Sequence, residues 1–527
     1  MKILLVNPRF PLSLWDYSHC RDIAGDSFPF PPLSLATVAA LTPRGHEVAI
    51  CDENVCAVDF DTDADVIGIT GYSPQKDRVY ELADEFRKKG KMVVIGGPLV
   101  ERSNLGECAG HADVVFLGEA EYTWPAFIRD IRLKAVRPVY AQVELVDLSD
   151  SPAPRFDLLK LGAYSSAIIE TSRGCPHSCE FCEIPVRLGR KSRTKSSDQV
   201  MAEIRQLYAL GVDSIFIIDD NFLGNRSRAA MLITRIQQFV RSIDYRLSFS
   251  CQFTINVAQD ENILCLLREA NFKRVFIGIE TPRQSTLAMA KKGQNTQIDL
   301  LDAVRRVQAH NIIVWGAFIV GFDDDDLDIF KEQLDFIQAS SIPIAMVGIL
   351  QALPGTPLHE RVKREGRLKD DAAGGIRGPA SLLTSSNIKP LHMTDEELAN
   401  GFRYLVTSLY RYDNFAERLI HAVRLGKNGR SKGSTQVRMT ELRVLRRLFR
   451  YYLLTADFRR MFMFLRVVIQ TLLHNPRYLG TVFMHLIVYK HVKLFYEECT
   501  SAIPPCSCHF GQSPYFTASV SSSSQRT

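Results

Sequence analysis

Three cysteines, Cys175, Cys179 and Cys182, lie within one short segment of the 527-residue chain. Iron–sulfur clusters are held by thiolates, usually four, so three thiolates leave one iron of a cubane open to an outside ligand. Structural zinc is the alternative, but zinc takes four protein ligands and usually pairs two short Cys/His groups. His177 lies inside the loop, too close to its neighbours to serve easily as a fourth ligand. The spacing therefore predicts a 4Fe-4S cluster with an open position.

The C-x3-C-x2-C spacing, with the aromatic Phe181 before the third cysteine, resembles the radical S-adenosylmethionine (SAM) superfamily. The resemblance implies that the open iron binds SAM and that reduction cleaves SAM to a 5′-deoxyadenosyl radical. It also implies an electron donor such as a flavodoxin or a ferredoxin. The cofactor carries the chemistry in such enzymes, and the protein orients it.

The composition, 46% hydrophobic and 23% charged residues, is typical of a globular protein, and the length predicts two or three domains. The apolar run at the N-terminus is too short for a signal peptide, and no stretch reaches the roughly 18 apolar residues that span a bilayer. The 12 cysteines then predict a reducing, cytoplasmic location and not a disulfide framework. The formal charge of +5 is small for this size, and no nucleic-acid partner is expected.

Short apolar runs alternate with helical patterns over residues 1–145, which predicts an α/β fold with a doubly wound parallel sheet. The predicted strands are 2–6, 47–51, 66–70, 92–95 and 114–117, and the predicted helices include 32–41 and 75–89. Gly96, Gly97 and Gly118 follow strand ends, where open α/β sheets bind ligands. Glycines at these places also serve simply to make tight turns.

Segments 31–35, 96–98 and 118–121 together resemble the cobalamin-binding domain that precedes many radical SAM cores. The resemblance implies that residues 1–145 bind cobalamin and that Gly96, Gly97 and Gly118 are among its contacts. The chain lacks the Asp-x-His-x-x-Gly loop that supplies a lower axial histidine in some cobalamin domains. If cobalamin binds, no histidine coordinates it from below through that motif.

A turn-rich stretch at 146–160 is the predicted linker to a radical SAM core at 161–365. The predicted strands of this core are 167–171, 214–219, 246–253, 274–280, 312–320 and 345–350. Six βα units predict a partial, open (β/α)6 TIM-like barrel, whose chemistry lies at the carboxyl ends of the strands. The cluster loop follows the first strand, so we expect it at that edge.

Polar residues at the same edge are candidate SAM contacts. Asp219 and Asp220 end the second predicted strand, where the resemblance implies hydrogen bonds with the methionine amino group. Gln252, at the end of the third strand, is a further candidate.

The fourth and fifth strands end in residues that resemble other SAM-binding positions. The resemblance implies that Glu280 binds the ribose and that Gly316, Ile319 and Gly321 contact the adenine. A carboxylate at a strand end can instead cap the following helix, and we expect this role for the acidic run 323–326.

Segments 154–160, 173–176, 190–196, 219–225 and 352–357 form a more particular pattern. Together they resemble the cobalamin-dependent radical SAM group that includes the hopanoid C-2 methylase, a resemblance that covers about residues 1–425. It implies a C-methyltransferase that acts on an unactivated carbon of a lipid or another small molecule, such as a secondary metabolite.

Three other functions stay open at this point. A cobalamin-dependent cyclase or oxidase would keep both cofactors. A methylthiotransferase would need a second cluster on three N-terminal cysteines, and the four cysteines before residue 145 do not follow that pattern. A non-catalytic, cofactor-sensing binding module would have no use for an open-iron cluster aligned with SAM contacts.

The C-terminal third predicts a helical domain at 380–498. Thr394 and Glu397 have the spacing of a capping box, which predicts a helix at 396–410. Leu442, Leu445, Phe449 and Tyr452 then form an apolar stripe among many arginines. Such a stripe is typical either of a core contact within a helical domain or of a basic amphipathic helix on an anionic membrane. The second interpretation places the protein peripherally on the inner face of the membrane.

Residues 499–527 are predicted to be a disordered tail, because they include a serine run and few large apolar residues. Cys499, Cys506 and Cys508 lie in this stretch. They are either incidental or ligands of an auxiliary metal.

Overall fold

The computed structural model describes residues 1–25, 28–243, 247–369, 385–426 and 439–504, and the side chains of the last range from Leu442 onward. The chain divides into two compact units. Unit 1 comprises Met1–Asp16, Asp26–Cys175 and Arg187–Asp220. Unit 2 comprises Tyr17–Gly25, Pro176–Val186 and Asn221–Thr527.

The strands that the structure describes are numbered here in chain order. They are β1 Lys2–Asn7, β2 Glu47–Asp52, β3 Val66–Thr70, β4 Met92–Gly96, β5 Val114–Leu117, β6 Val139–Ala141, β7 Ala167–Ile169, β8 Ser172–Arg173, β9 Arg193–Thr194, β10 Ser214–Ile217, β11 Ser248–Gln252, β12 Phe272–Glu280, β13 Ile313–Val320 and β14 Ile344–Ile349. All eleven strands predicted from the sequence are present, and most of their ends lie within two residues of the predicted ones. Residue 246 of the third core strand lies outside the described residues.

The α-helices up to the end of the core alternate with these strands. They are Arg21–Ala24, Leu33–Leu41, Lys76–Lys88, Leu105–His111, Thr123–Arg132, Ile184–Arg187, Ser197–Ala209, Arg226–Ser242, Glu261–Glu269, Gln284–Met289, Leu300–Ala309, Ile329–Ser340 and Pro357–Arg364.

A six-stranded parallel sheet with the order β2-β1-β3-β4-β5-β6 forms the centre of unit 1. Successive side chains of a strand point to opposite faces. In β1, Ile3 therefore joins one buried cluster with helix Leu33–Leu41, and Leu4 joins a second cluster with helix Lys76–Lys88. Burial on both faces explains the nearly continuous apolar strands. The predicted doubly wound parallel sheet is confirmed.

The edge strand β6 was not predicted from the sequence. It has three residues, follows Pro138 and pairs in parallel with β5 through Phe116 and Tyr140. A three-residue run shows too little alternation to be recognised as a strand, and Tyr140 is buried against Phe127 only in the folded unit.

The rest of unit 1 carries the first part of the radical SAM core. Strands β7 and β10 pair in parallel, and the two-residue strands β8 and β9 pair antiparallel. Residues 146–160 pack within this unit, because Val146, Leu148 and Phe156 are fully buried.

Strands β11 to β14 of unit 2 pair in parallel in chain order, with Gln252 opposite Phe276 and Trp315 opposite Ile344. Parallel strands alternate with helices through the whole core, as predicted. The α/β class, with parallel sheets and a helical C-terminal region, is confirmed. The exact domain boundaries stay predictions.

The described C-terminal helices are Asp395–Leu409, Tyr412–Leu425, Met439–Leu453, Phe458–His474 and Leu479–Ser501. The predicted capping box is confirmed, because the Thr394 hydroxyl accepts a hydrogen bond from the Glu397 N–H and the Glu397 carboxylate accepts one from the Thr394 N–H. No helix among the described residues is long and apolar enough to span a membrane.

The last helix continues to Ser501 and buries Cys499, whereas the tail was predicted from residue 499. Along the apolar stripe, Tyr452 is buried whereas Leu442 and Phe449 are exposed, and both interpretations of the stripe stay open. Cys506, Cys508 and the serine run lie outside the described residues.

Candidate active site

The cluster loop leaves unit 1 through a tightly packed turn. Gly174 has a φ of +88°, and a Cβ at this position would lie 2.7 Å from the Lys191 carbonyl oxygen and 2.9 Å from the Gly189 carbonyl oxygen. The Cys175 N–H donates a hydrogen bond of 3.3 Å to the same Gly189 oxygen. Only glycine fits this backbone conformation without strain, so Gly174 fixes the position of Cys175.

We expect Gly174→Ala to displace the cluster loop and to lower the iron content of the reconstituted protein severalfold, because the added methyl group meets backbone oxygens that cannot easily move. Gly90→Ala is the matched control, since Gly90 also has a positive φ, +74°, but a methyl group there would meet no atom within 4 Å. Iron content measured per chain compares the two. Equal iron contents in the two variants would contradict the role of Gly174 in positioning the cluster loop.

Cys179 and Cys182 occupy the part of the loop that belongs to unit 2. The Cys182 N–H donates to the Cys179 carbonyl in a 3.2 Å turn, and the Gln294 side-chain nitrogen lies 3.4 Å from the Cys179 sulfur. None of Cys175, Cys179 and Cys182 forms a disulfide. Three reduced thiols, one with an N–H donor that can stabilise thiolate charge, fit an iron–sulfur cluster. Sequence reasoning missed Gln294, which is 115 residues from Cys179 in the chain.

Arg173, two residues before Cys175, is the centre of a buried ion network in unit 1. Its guanidinium lies 2.7 Å from Glu119, 2.8 Å from Glu121 and 2.8 Å from Glu170. Arg193 also contacts Glu119, at 2.9 Å. Burial alone would raise the pKa of Glu119, but Arg173 and Arg193 outweigh it and lower that pKa. The segment that follows β5 is thereby fixed to the cluster loop.

The predicted SAM segment after β10 holds the start of the loop. The Asp219 carboxylate accepts hydrogen bonds from the Thr171 N–H at 2.6 Å and the Ser172 hydroxyl at 2.7 Å, and Asp220 accepts one from the Gly174 N–H at 3.1 Å. Burial raises the pKa of both aspartates to about 6. Asp219 is fully buried, whereas Asp220 is half-buried.

Glu280 ends β12 in a conformation that is rare for a residue with a side chain. Its φ is +68°, and the pairing with β13 shifts register between Gly278 and Glu280. The carboxylate is buried and forms an ion pair with Lys292. Such backbone strain is concentrated at functional sites. Lys292 was not singled out from the sequence, because no local pattern connects it with Glu280.

The remaining predicted SAM residues lie at or near the carboxyl ends of neighbouring strands in unit 2. Gln252 is the last residue of β11, and Gly316 and Ile319 lie in β13. A Cβ on Gly316 would lie 2.7 Å from the Phe318 ring. Gly321 has a φ of +93° and donates its N–H to Asp325 at 2.8 Å. The structure therefore brings Gln252, Glu280 and Gly321 to one edge of the β11–β14 strands.

The acidic run 323–326 does not cap the next helix, so this prediction is wrong. Helix Ile329–Ser340 follows Asp328 and has no side-chain cap. Asp323 instead pairs with Arg361 and Arg367, and Asp325 accepts the N–H groups of Gly321 and Phe322. Asp326 comes nearest to capping, since its carboxylate accepts a hydrogen bond of 3.2 Å from the Asp328 N–H, one residue before the helix.

Burial raises the pKa of Asp325 to about 7, which predicts a pH effect on stability. The folded protein holds a proton that the unfolded chain releases, so this contribution to stability is present below about pH 4 and is lost as the pH rises through 7. Asp325→Asn should therefore gain thermal stability relative to the wild type between pH 5 and pH 8. Asp328→Asn, at an exposed position, should show no such change. Unfolding midpoints at the two pH values test this.

The predicted cobalamin contacts lie at the carboxyl ends of the N-terminal sheet. A Cβ on Gly97 would clash with Thr70, and one on Gly118 would clash with Gln142. Their positive φ values, +86° and +92°, show that tight turns already require these glycines. Gly96 is less constrained, because a Cβ there would lie 3.2 Å from the nearest atom.

The strand order places a topological switch point between β1 and β3, where such sheets bind ligands. Tyr72 follows β3 there with 53% of its surface exposed, and its ring centre lies 5.9 Å from that of Phe10. An open strand end with turn glycines and an exposed aromatic ring fits a large planar cofactor. Tyr72 and Phe10 were not predicted from the sequence, although each lies within three residues of the end of an apolar strand.

Three protein-family profiles match successive parts of the chain. The profile "Radical SAM superfamily" matches residues 169–337, "B12 binding domain" matches 24–128, and "Domain of unknown function (DUF4070)" matches 356–504. A relative named an uncharacterized methyltransferase, from Synechocystis, is 35% identical over 79% of this chain and 78% of its own. The hopanoid C-2 methylase of Rhodopseudomonas palustris is 32% identical over 70% of this chain and 71% of its own.

The chain belongs to the radical SAM methyltransferases that carry a B12-binding domain. This methyltransferase uses a 4Fe-4S cluster, SAM and cobalamin, and its reaction is the methylation of a carbon atom. The predicted cofactors and the predicted reaction class are thereby confirmed.

Two solved structures share the fold of the methyltransferase. The cobalamin-dependent radical SAM enzyme OxsB, with aqua-cobalamin and SAM bound, aligns with a TM-score of 0.60 at 16% identity and covers 95% of this chain and 84% of that chain. The radical SAM methyltransferase TsrM from Kitasatospora setae, with cobalamin and a 4Fe-4S cluster, aligns with a TM-score of 0.58 at 17% identity, over 76% and 84%. At these identities the likeness establishes the fold.

Proposed function

We propose that the enzyme methylates an unactivated carbon of a polycyclic lipid of the hopanoid type. The observation that carries this proposal is the 32% identity to a hopanoid C-2 methylase over 70% of the chain.

We assign the metal and cofactor contacts as follows. Cys175, Cys179 and Cys182 hold three irons of the cluster. When bound, the cluster with SAM supplies hydrogen-atom abstraction, and cobalamin supplies the methyl group. The protein's own residues orient these groups and balance the charges at the carboxyl ends of the strands.

Two carboxylates have distinct roles in this proposal. Asp220, the more exposed of the two, binds the SAM amino group, while Asp219 holds the loop through Thr171 and Ser172. Glu280 binds the ribose hydroxyls, and its contact with Lys292 holds the buried carboxylate in place.

The other predicted contacts complete the site. The remaining contacts with SAM come from Gln252, Gly316, Ile319 and Gly321. Gly96, Gly97 and Gly118 let the backbone approach cobalamin. A low-potential flavodoxin or ferredoxin supplies the electrons, and the enzyme works in peripheral contact with the inner face of the membrane.

Deleting the gene in its host and feeding methyl-labelled methionine tests the acceptor. We expect loss of one labelled methyl group, a CH2 in mass, from a polycyclic lipid, and recovery with the wild-type gene but not with a Cys175→Ala gene. Unchanged methylated lipids beside a soluble metabolite that lacks a methyl group would overturn the lipid acceptor. Loss of sulfur from a product, or retained hydrogens in a ring, would instead indicate a methylthiotransferase or a cyclase.

A further inference from the structure

We infer that one exposed side of helix Phe458–His474 binds the interfacial region of an anionic lipid membrane. The inference rests on the proposed lipid methylation and deepens it, because it identifies the surface through which the enzyme reaches a bilayer. We call this surface the apolar face, and its members are Phe458, Phe462, Leu465, Ile469, Leu472 and Leu473.

The apolar face runs along the whole helix. At 3.6 residues per turn its members fall within an arc of about 100° and extend over about 22 Å. Phe458, Phe462 and Leu473 each expose about two thirds of their surface, at 66%, 65% and 70%. Leu454, just before the helix, is 78% exposed and extends the apolar surface.

The opposite side of the same helix is already packed. Met463, Phe464, Val467 and Thr471 are buried, and the Tyr452 ring stacks on Phe464 at 5.0 Å between ring centres. The helix is therefore fixed in unit 2 without any use of its apolar face. A contiguous exposed apolar patch of this length marks an interaction site, because such patches are rare on soluble monomers.

The charges around the apolar face determine which partner it suits. Helix Phe458–His474 contains three arginines and no Asp or Glu. Arg459 and Arg466 are exposed and follow one border of the face, where Arg466 lies 3.7 Å from Glu417. The preceding helix packs on the other, buried side through Phe449 and Phe464 and carries four more exposed arginines, Arg443, Arg446, Arg447 and Arg450.

An apolar stripe bordered by arginines is the pattern of a helix that lies in a membrane interface. Apolar side chains enter the boundary between headgroups and acyl chains, while long basic side chains extend to the lipid phosphates. An apolar groove of another protein would not require so many cations. The charge pattern therefore favours anionic lipid over a second copy of the chain or one of its own segments outside the described residues.

Flotation of the full-length, reconstituted enzyme with lipid vesicles tests the inference. We expect binding to vesicles of phosphatidylcholine with phosphatidylglycerol, weaker binding to phosphatidylcholine alone, and weakening by high salt, which screens exposed charges. The variant Phe458→Ser/Phe462→Ser/Ile469→Ser should lose binding by at least roughly tenfold, since three large apolar groups no longer enter the interface.

The matched control replaces three exposed apolar residues elsewhere, as Leu133→Ser/Val143→Ser/Met231→Ser, and should bind vesicles like the wild type. All six sites are exposed, so both variants should fold, and their unfolding midpoints check this. The inference is overturned if the wild-type enzyme does not bind vesicles, or if the apolar-face variant binds them as well as the wild type does. It is also overturned if the wild type does not bind vesicles but forms a dimer that the apolar-face variant cannot form.

Methylation assayed in detergent micelles separates this inference from the proposed function. If the apolar-face variant methylates a micellar lipid normally but fails on vesicles, both the acceptor and the membrane surface are supported. If no lipid is methylated while vesicle binding persists, only the acceptor is wrong. If a micellar lipid is methylated while the wild type ignores vesicles, only the membrane surface is wrong.

Discussion

Cys179→Ala should reduce 5′-deoxyadenosine formation to background. Cys179 is 9% exposed and has the Gln294 side chain next to its sulfur, so no solvent thiol or neighbouring cysteine readily replaces it. In this variant only Cys175 and Cys182 remain, and two thiolates are too few to hold the cluster. Anaerobic incubation with SAM and a reductant, followed by chromatography of the nucleosides, measures the loss.

The matched control is Cys265→Ala, a partly buried cysteine in helix Glu261–Glu269. It should keep its iron content, its visible absorbance and its nucleoside yield. Cobalamin binding should survive in both variants, because the predicted cobalamin site belongs to the N-terminal sheet. Undiminished nucleoside formation by the Cys179→Ala enzyme would contradict the assignment of the cluster loop.

Arg173→Met should cause the largest loss of stability. Arg173 is 14% exposed, and Glu119 and Glu121 are both nearly fully buried. Removal of the guanidinium takes its positive charge away from both glutamates and leaves Glu119 only its contact with Arg193. Breaking a buried ion pair on one side typically costs about 3–5 kcal/mol. Calorimetric unfolding measures the effect, and the iron content should also fall because Arg173 lies two residues before Cys175.

The pH dependence of the stability tests whether the buried ion network causes this loss. Because Arg173 and Arg193 lower the pKa of Glu119 in the folded protein, the stability from this pairing is present above the usual glutamate pKa and is lost as the pH falls through the lowered value. The difference between the wild type and Arg173→Met should therefore shrink in acid. Arg155→Met breaks a half-exposed pair with Asp157 and should cost at most about 1 kcal/mol. A similar loss in both variants would contradict the buried-network explanation.

Sequence patterns of short range were reliable in this protein. Short apolar runs located β1 to β5 and the six core strands, since a strand buried on both faces needs an apolar residue at nearly every position. The capping box at Thr394 and Glu397 was equally local. The spacing of Cys175, Cys179 and Cys182 indicated the cluster because three ligands in one loop need no tertiary information.

Contacts between distant segments could not be read in this way. Lys292 beside Glu280, Gln294 beside Cys179, and Glu119 with Glu121 around Arg173 each join separate parts of the chain. The acidic run 323–326 showed the same limit, because carboxylates next to a helix have many possible partners. Only the folded chain places Arg361 and Arg367 close enough to pair with Asp323.

The sequence by itself determined the fold class through local periodicity, and the cofactor set through short motifs that resemble a known family. The spacing of three cysteines in one loop predicted the cluster ligands. The sequence did not determine which side of helix Phe458–His474 is buried, since apolar residues occur on both sides. Met463 and Val467 pack inside unit 2, while Phe462 and Ile469 stay exposed. Helical periodicity identifies faces, but only the neighbouring helices decide which face is covered, and tertiary packing therefore decided which apolar residues stay exposed.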